Sequence, residues 1–319
     1  MQRDCSEGIG GQEVSQGKLC PSPLPLLHWP VSLISKKLVI AAIDFANPAP
    51  LMWDFEHAPL KNELLERYEI VSLMPSECAR RLKEGSADIG LVPVAAYAQM
   101  PSARIVPGCA IASLDHVRSI LLVVRHAKSV RGVKRVALDT ASITSATFTR
   151  IFFSKLWKTA PEFVQHAPDL EAMLRVADAA LLIGDPALLA LEDREARAAR
   201  TGERLEYIDL AHEWHMWTGT PWVSAFWAVR EAAFGPETVS RAQLVEDFMQ
   251  SRNHGETHIG ELAREWAGRV PLPSGLLRSY LTENIYYFLD DACLEGLNLF
   301  YRYAVECGAL QAVPELRFL

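Results

Sequence analysis

The densest set of chemically useful side chains lies between Arg135 and Trp157, in RVALDTASITSATFTRIFFSKLW. Val136, Ala137 and Leu138 read as the end of a buried strand. Phe148, Ile151, Phe152 and Leu156 fall at helical spacing. Between them stand four hydroxyls in six positions: Thr140, Ser142, Thr144 and Ser145. A strand, a short Ser/Thr loop and a helix start together make an anion cradle. The first amides of a helix lack intrahelical partners, the helix dipole puts partial positive charge there, and hydroxyls add donors without adding charge. Ordinary N-capping would also use one of these hydroxyls, but it needs only one. The loop is therefore expected to hold a ligand carboxylate or phosphate.

Other candidates sit where strands begin or end. Asn47 follows the apolar run LVIAAIDF and precedes Pro48, which forces it out of the helical region. Open α/β sheets place ligands at the carboxyl ends of their strands, and an Asn there can both donate and accept. A turn-forming Asn is the equal alternative. Ser119 stands at the entrance of the strand Ile120 to Val124. Arg118 beside it faces a ligand or solvent, or makes a surface or interdomain salt bridge. Asp185, after the strand Ala179 to Ile183, could bind a ligand hydroxyl, although capping the next helix is the preferred local reading. His212 and His215 in HEWHMWTGTP suggest a metal, but the second His falls one position early for H-E-x-x-H and no zinc-type set completes it. No metal site is expected. Trp214 and Trp217 are expected to wall a pocket or to pack between domains.

These residues must be held by an α/β scaffold. A chain of 319 residues is natural for two domains. Leu38 to Phe45, Tyr68 to Leu73, the run through Gly90 to Pro93, and Ala103 to Ile111 alternate with helical segments, notably one starting at Pro75. Arg135 to Leu138, Phe163 to His166, Ala179 to Ile183 and Glu206 to Leu210 repeat the rhythm, which implies parallel sheets covered on both faces. A helix is expected through PALLALEDREARAAR. Trp222 to Val229 reads as a strand crossing back to the first domain. After Glu237 the chain turns helical, with Asn284 to Leu289 as a short strand-like run and Asp291 to Cys307 as a closing helix.

Composition narrows the partners. Net charge is −7, which argues against nucleic acid or an anionic membrane as partner. The six cysteines show no CxxC pair and read as reduced, partly buried thiols. No apolar run is long enough to span a bilayer. Residues 1–37 are rich in Gly, Ser and Pro and read as a disordered extension or a misplaced start. The apolar part is broken by Pro21, Pro23, Pro25 and Pro30, which speaks against a secretory signal.

Six stretches, in order and spacing, resemble the chorismate dehydratases of the futalosine route to menaquinone: ANPAPL (46–51), SADIGLVPVAAYA (86–98), PGCAIASLDHVRSILLV (107–123), ALDTASITS (137–145), ALLIGDPAL (180–188) and EWHMWTGTPWVSAFWA (213–228). The resemblance runs from about Leu38 to Leu319. It implies the α/β fold of type 2 periplasmic binding proteins, two lobes joined by two crossing strands with the ligand between them. Lobe 1 is then 38–122 plus 223–319, and lobe 2 is 123–222. It implies a cytoplasmic hydro-lyase, monomer or homodimer, that takes water from chorismate and needs no cofactor. Asn47 matches the family's Asn, expected to orient the ring hydroxyl or enol ether. Ser142, Thr144 and Ser145 would hold one carboxylate and Ser119, with nearby amides, the other. The proton acceptor would be a substrate carboxylate or a side chain such as Asp44 or Asp185. One position departs: the family usually has Arg where this chain has Ile143, so any missing charge would come from Arg118 or Arg150. The sister 1,4-dihydroxy-6-naphthoate synthase and a non-catalytic anion-binding protein are the alternatives.

Overall fold

The computed structural model describes residues 35–125, 129–140 and 143–319. The expected extension therefore lies almost wholly outside the described residues, as does Ser142. The amides of Ser35 and Lys36 both donate to the Glu237 carbonyl, at 3.1 and 3.2 Å.

Among the described residues the apolar runs form ten strands: β1 (Leu38–Ile43), β2 (Tyr68–Leu73), β3 (Ile89–Pro93), β4 (Ala103–Ser113), β5 (Ile120–Arg125), β6 (Arg135–Asp139), β7 (Glu162–His166), β8 (Ala179–Ile183), β9 (Leu205–Asp209) and β10 (Trp222–Arg230). They pair into two five-stranded sheets, ordered β2-β1-β3-β10-β4 and β7-β6-β8-β5-β9. In the first, β1 lies parallel to β2 and β3, while β10 runs antiparallel to β3 and β4. In the second, β6 lies parallel to β7 and β8, while β5 runs antiparallel to β8 and β9. The sheets are built alike. In each, the strand that arrives from the other lobe is the antiparallel one. Strands β3 and β8 are buried along their whole length, as expected where helices cover both faces.

Sheet membership moves the boundary drawn from the sequence. Ile120, Leu121 and Leu122 pair with Ile183, Leu182 and Leu181, so all of β5 belongs to the second sheet and not to lobe 1. Trp222 pairs with Ser113 and belongs to the first sheet. The crossings are thus 114–119 and the helix Leu210–Thr218. No helix is assigned there from the sequence. Asp209 caps it, accepting from the amides of Ala211 and His212, and also accepts from Val117 and Arg118 at 3.0 and 2.7 Å. One carboxylate ties both crossings together. Two smaller expectations also change. PALLALEDREARAAR forms two helices, Gly184–Glu192 and Arg194–Thr201. The 284–289 run makes one isolated bridge, Tyr286 to Ala112.

The lobes share a core. Phe148 stacks on Trp222 at 3.5 Å, and Trp214 meets both edge-on. Phe300 of the closing helix Asp291–Glu306 packs against Trp222. Such pairs contribute about 0.5–1.5 kcal/mol beyond their buried area. Trp214 is fully buried in this cluster, so it packs between the lobes and does not wall a pocket. Among the described residues no helix is long and apolar enough to cross a membrane. The four described cysteines, Cys78, Cys109, Cys293 and Cys307, are unpaired thiols.

Candidate functional site

A small, half-open hollow lies where the two sheets face each other. The first lobe supplies the loop after β1 (Phe45, Asn47, Pro48) together with Pro75, Pro93, Ile111, Ser224 and Ala225. The second supplies Ser119, Ile120, Thr144, Ser145, Ile183 and Gly184. The structure therefore brings together Asn47, Ser119, Thr144 and Ser145, from four places in the chain. Each stands at a strand end, a strand entrance or a helix start. These positions leave backbone donors uncovered and let a side chain reach beyond the sheet. Among the described residues no charged side chain lines the hollow.

The hydroxyls are held with a defined polarity. Thr144 Oγ1 accepts from the Ala95 amide at 3.0 Å. Ser224 Oγ accepts from Trp222 Nε1 at 2.8 Å. Ser119 Oγ accepts from the Tyr280 hydroxyl at 2.9 Å. Amide and indole N–H groups can only donate, and burial pushes the Tyr280 phenol's pKa up, so it stays protonated. Each hydroxyl has one acceptor site taken and keeps its own O–H to give. Asn47 is the converse: its Oδ1 is buried without a hydrogen-bond partner among the described residues. Hydroxyls thus gather on both walls, and Asn47 of the lining carries a buried oxygen with no partner among the described residues. A buried acceptor left unpaired costs about 1–3 kcal/mol, which a ligand donor would recover.

Four sequence expectations are corrected. Arg118 does not reach the hollow. It has φ 59°, in the left-handed region, and its guanidinium pairs with Glu192 at 2.7 Å on the outer surface. Asp185 neither lines the hollow nor caps the helix that follows. Ile183 holds the cap position, and Asp185 Oδ1 accepts from the Ala46 amide at 3.2 Å. Asp44 is exposed and pairs with Arg269. Ile143, 42% exposed, faces a separate surface hollow together with Arg150, whose guanidinium lies 4.3 Å over the Phe163 ring. Neither Arg118 nor Arg150 supplies charge to the site. The sequence reading missed Ser224. Its signal was a single polar residue inside the apolar run WVSAFWAV, at a register shift in β10 between Val223 and Ala225.

One histidine cluster does form, away from this hollow. Asp115 receives His212 Nδ1 at 2.6 Å and His116 Nδ1 at 3.2 Å, and the two rings stack at 3.8 Å. These three are the described residues that come close enough together to consider for a metal. Both rings turn Nδ1 to the one Asp115 carboxylate, which serves as their shared hydrogen-bond acceptor. His215 is not part of it.

Two mixed sheets with a cleft between them define an α/β protein of the periplasmic-binding-protein-like class. Similar solved structures have that architecture. A protein of Archaeoglobus fulgidus matches with TM-score 0.64 and 17% identity, over 86% of this chain and 99% of that one. A Candida albicans gene product, described as exhibiting the generic periplasmic binding protein fold, matches with TM-score 0.61 and 12% identity, over 89% and 97%. The periplasmic aliphatic sulphonate binding protein of Escherichia coli matches with TM-score 0.53 and 17% identity, over 88% and 90%. The chain itself belongs to the menaquinone biosynthesis family, which matches residues 38–306.

Proposed function

We propose that the chain is a chorismate dehydratase, removing water from chorismate to give 3-[(1-carboxyvinyl)oxy]benzoate on the way to menaquinone. The observation that carries this reading is the polarity of the hollow. Three lining hydroxyl oxygens accept from the protein, which frees their O–H groups for a ligand, and Asn47 Oδ1 has no partner among the described residues. Chorismate offers the complement: two carboxylates to accept and a ring hydroxyl to donate. Fixed neutral donors in a closed site stabilise anions without a counter-charge.

In the reaction the ring gives up a proton and a hydroxide, which leave as water, and becomes aromatic. Aromatisation supplies the driving force, so the protein's work is to hold geometry and assist proton movement. Thr144 and Ser145 hold one carboxylate and Ser119 the other, while Asn47 orients the ring hydroxyl. No acidic side chain lines the hollow among the described residues. That supports a substrate carboxylate as proton acceptor over Asp44 or Asp185. The reading places the enzyme in the cytoplasm, as a monomer or homodimer, with the small molecule as its partner.

Incubation with chorismate tests it: the product is one water lighter and absorbs as an aromatic. Turnover of cyclic dehypoxanthine futalosine in place of chorismate would assign the sister activity. A thermal shift without product would make the chain a binder.

A further inference from the structure

We propose that Asp185 is a positioning residue: from the second lobe it holds, across the cleft, the loop that carries Asn47. This rests on the reading of Asn47 as the residue that orients the substrate. The carboxylate does not line the hollow, and its Oδ1 accepts from the amide of Ala46, the residue immediately before Asn47. The neighbouring residue on each side of this bond strengthens the grip. Gly184 has φ +60°, and the Phe45 ring lies so close to it that a Cβ there would stand 2.6 Å from the ring. Phe45 and Ile183 form a small apolar cluster with Ile43. Phe45 and Ala46 are therefore clamped by Ile183, Gly184 and Asp185, and the next side chain along is Asn47. The arrangement joins the two lobes directly beside Asn47 with one set of contacts.

The grip depends on charge. A carboxylate accepts more strongly than its acid. Burial is the main influence on Asp185 and raises its pKa to about 6; the Ala46 amide opposes this, Asp44 adds to it and Arg269 opposes it. The Tyr280 phenol, whose pKa burial raises and the Asp185 charge raises further, stays uncharged. Protonating Asp185 loosens its hold on Ala46, so turnover falls as pH drops through this range.

The test uses the full chain with two variants, Asp185→Ala and Asp185→Asn. Amide exchange over residues 44–48 is read without ligand, and kcat and KM are read against pH. Asp185→Ala speeds exchange at Ala46 and lowers kcat by about tenfold, with KM changed less. Asp185→Asn keeps an acceptor oxygen but not the charge, so its exchange and its kcat at neutral pH fall between those of the parent and those of Asp185→Ala, and the acidic limb near pH 6 disappears. Unchanged exchange and kcat in Asp185→Ala overturn the inference. So does an Asp185→Asn variant as impaired as Asp185→Ala, which would make the carboxylate a reactant. If the parent protein leaves chorismate untouched, the proposed reaction fails, and the exchange measurement still decides whether Asp185 holds the loop.

Discussion

Thr144 of the second lobe accepts a hydrogen bond from the Ala95 amide of the first, at 3.0 Å, with both groups buried. The hydroxyl that is to bind ligand is thus also a fastening between the lobes. Thr144→Val removes the ligand donor and strands the Ala95 N–H. The expected result is a KM higher by at least about tenfold and a stability loss of about 1–3 kcal/mol. Thr144→Ser restores most of both. Steady-state kinetics and denaturant melts of the two variants check this.

On the proposed reading Asn47, which lines the hollow, orients the ring hydroxyl of the substrate. Asn47→Ala lowers kcat by about a hundredfold, with KM moved by less than about threefold. The hydroxyl wall is untouched, so chorismate still protects the variant against thermal unfolding. Equal losses in kcat and in thermal protection would make Asn47 a binding residue instead.

Ile143 occupies a position where the resembling family usually carries Arg, yet it points to a surface hollow separate from the Asn47 site. Ile143→Arg is therefore expected to leave kcat/KM within about twofold of the parent. A gain of an order of magnitude would mean that a charge at this position reaches the substrate after all.

The raised pKa of Asp185 also sets a direction for stability. The folded chain holds this proton more tightly than the unfolded one, whose carboxyl titrates near the ordinary value. The stabilising share is therefore complete below that ordinary value and is lost as pH rises through about 6. Asp185→Asn is neutral throughout. Thermal melts from pH 4 to pH 8 should show the variant gaining on the parent as pH rises. A difference independent of pH would contradict the shift.

Part of the hollow's lining was legible because its residues sit at strand ends and helix starts, which apolar runs mark well. Asn47, Ser119, Thr144 and Ser145 stand out that way, and all four line it. What failed depended on contacts distant in the chain. The three residues Ile120 to Leu122 looked like first-lobe strand, but pairing with β8 decides their sheet. Arg118 looked available beside Ser119, but its backbone conformation and Glu192, 74 residues on, turn it outward. Asp185 looked like a cap, and it reaches Ala46, 139 residues back. The helix Leu210–Thr218 was hidden because its aromatic residues look alike on every face, and its capping Asp209 read as the end of a strand. Ser224 was one hydroxyl in an apolar strand, and only the facing sheet gives it a role.

The most direct measurement is mass spectrometry of chorismate incubated with the purified full chain. The account predicts 3-[(1-carboxyvinyl)oxy]benzoate, one water lighter than chorismate, forming at a rate that Asn47→Ala lowers by about a hundredfold. Chorismate recovered unchanged with a protein that melts normally, or product formed equally well by Asn47→Ala, would contradict it.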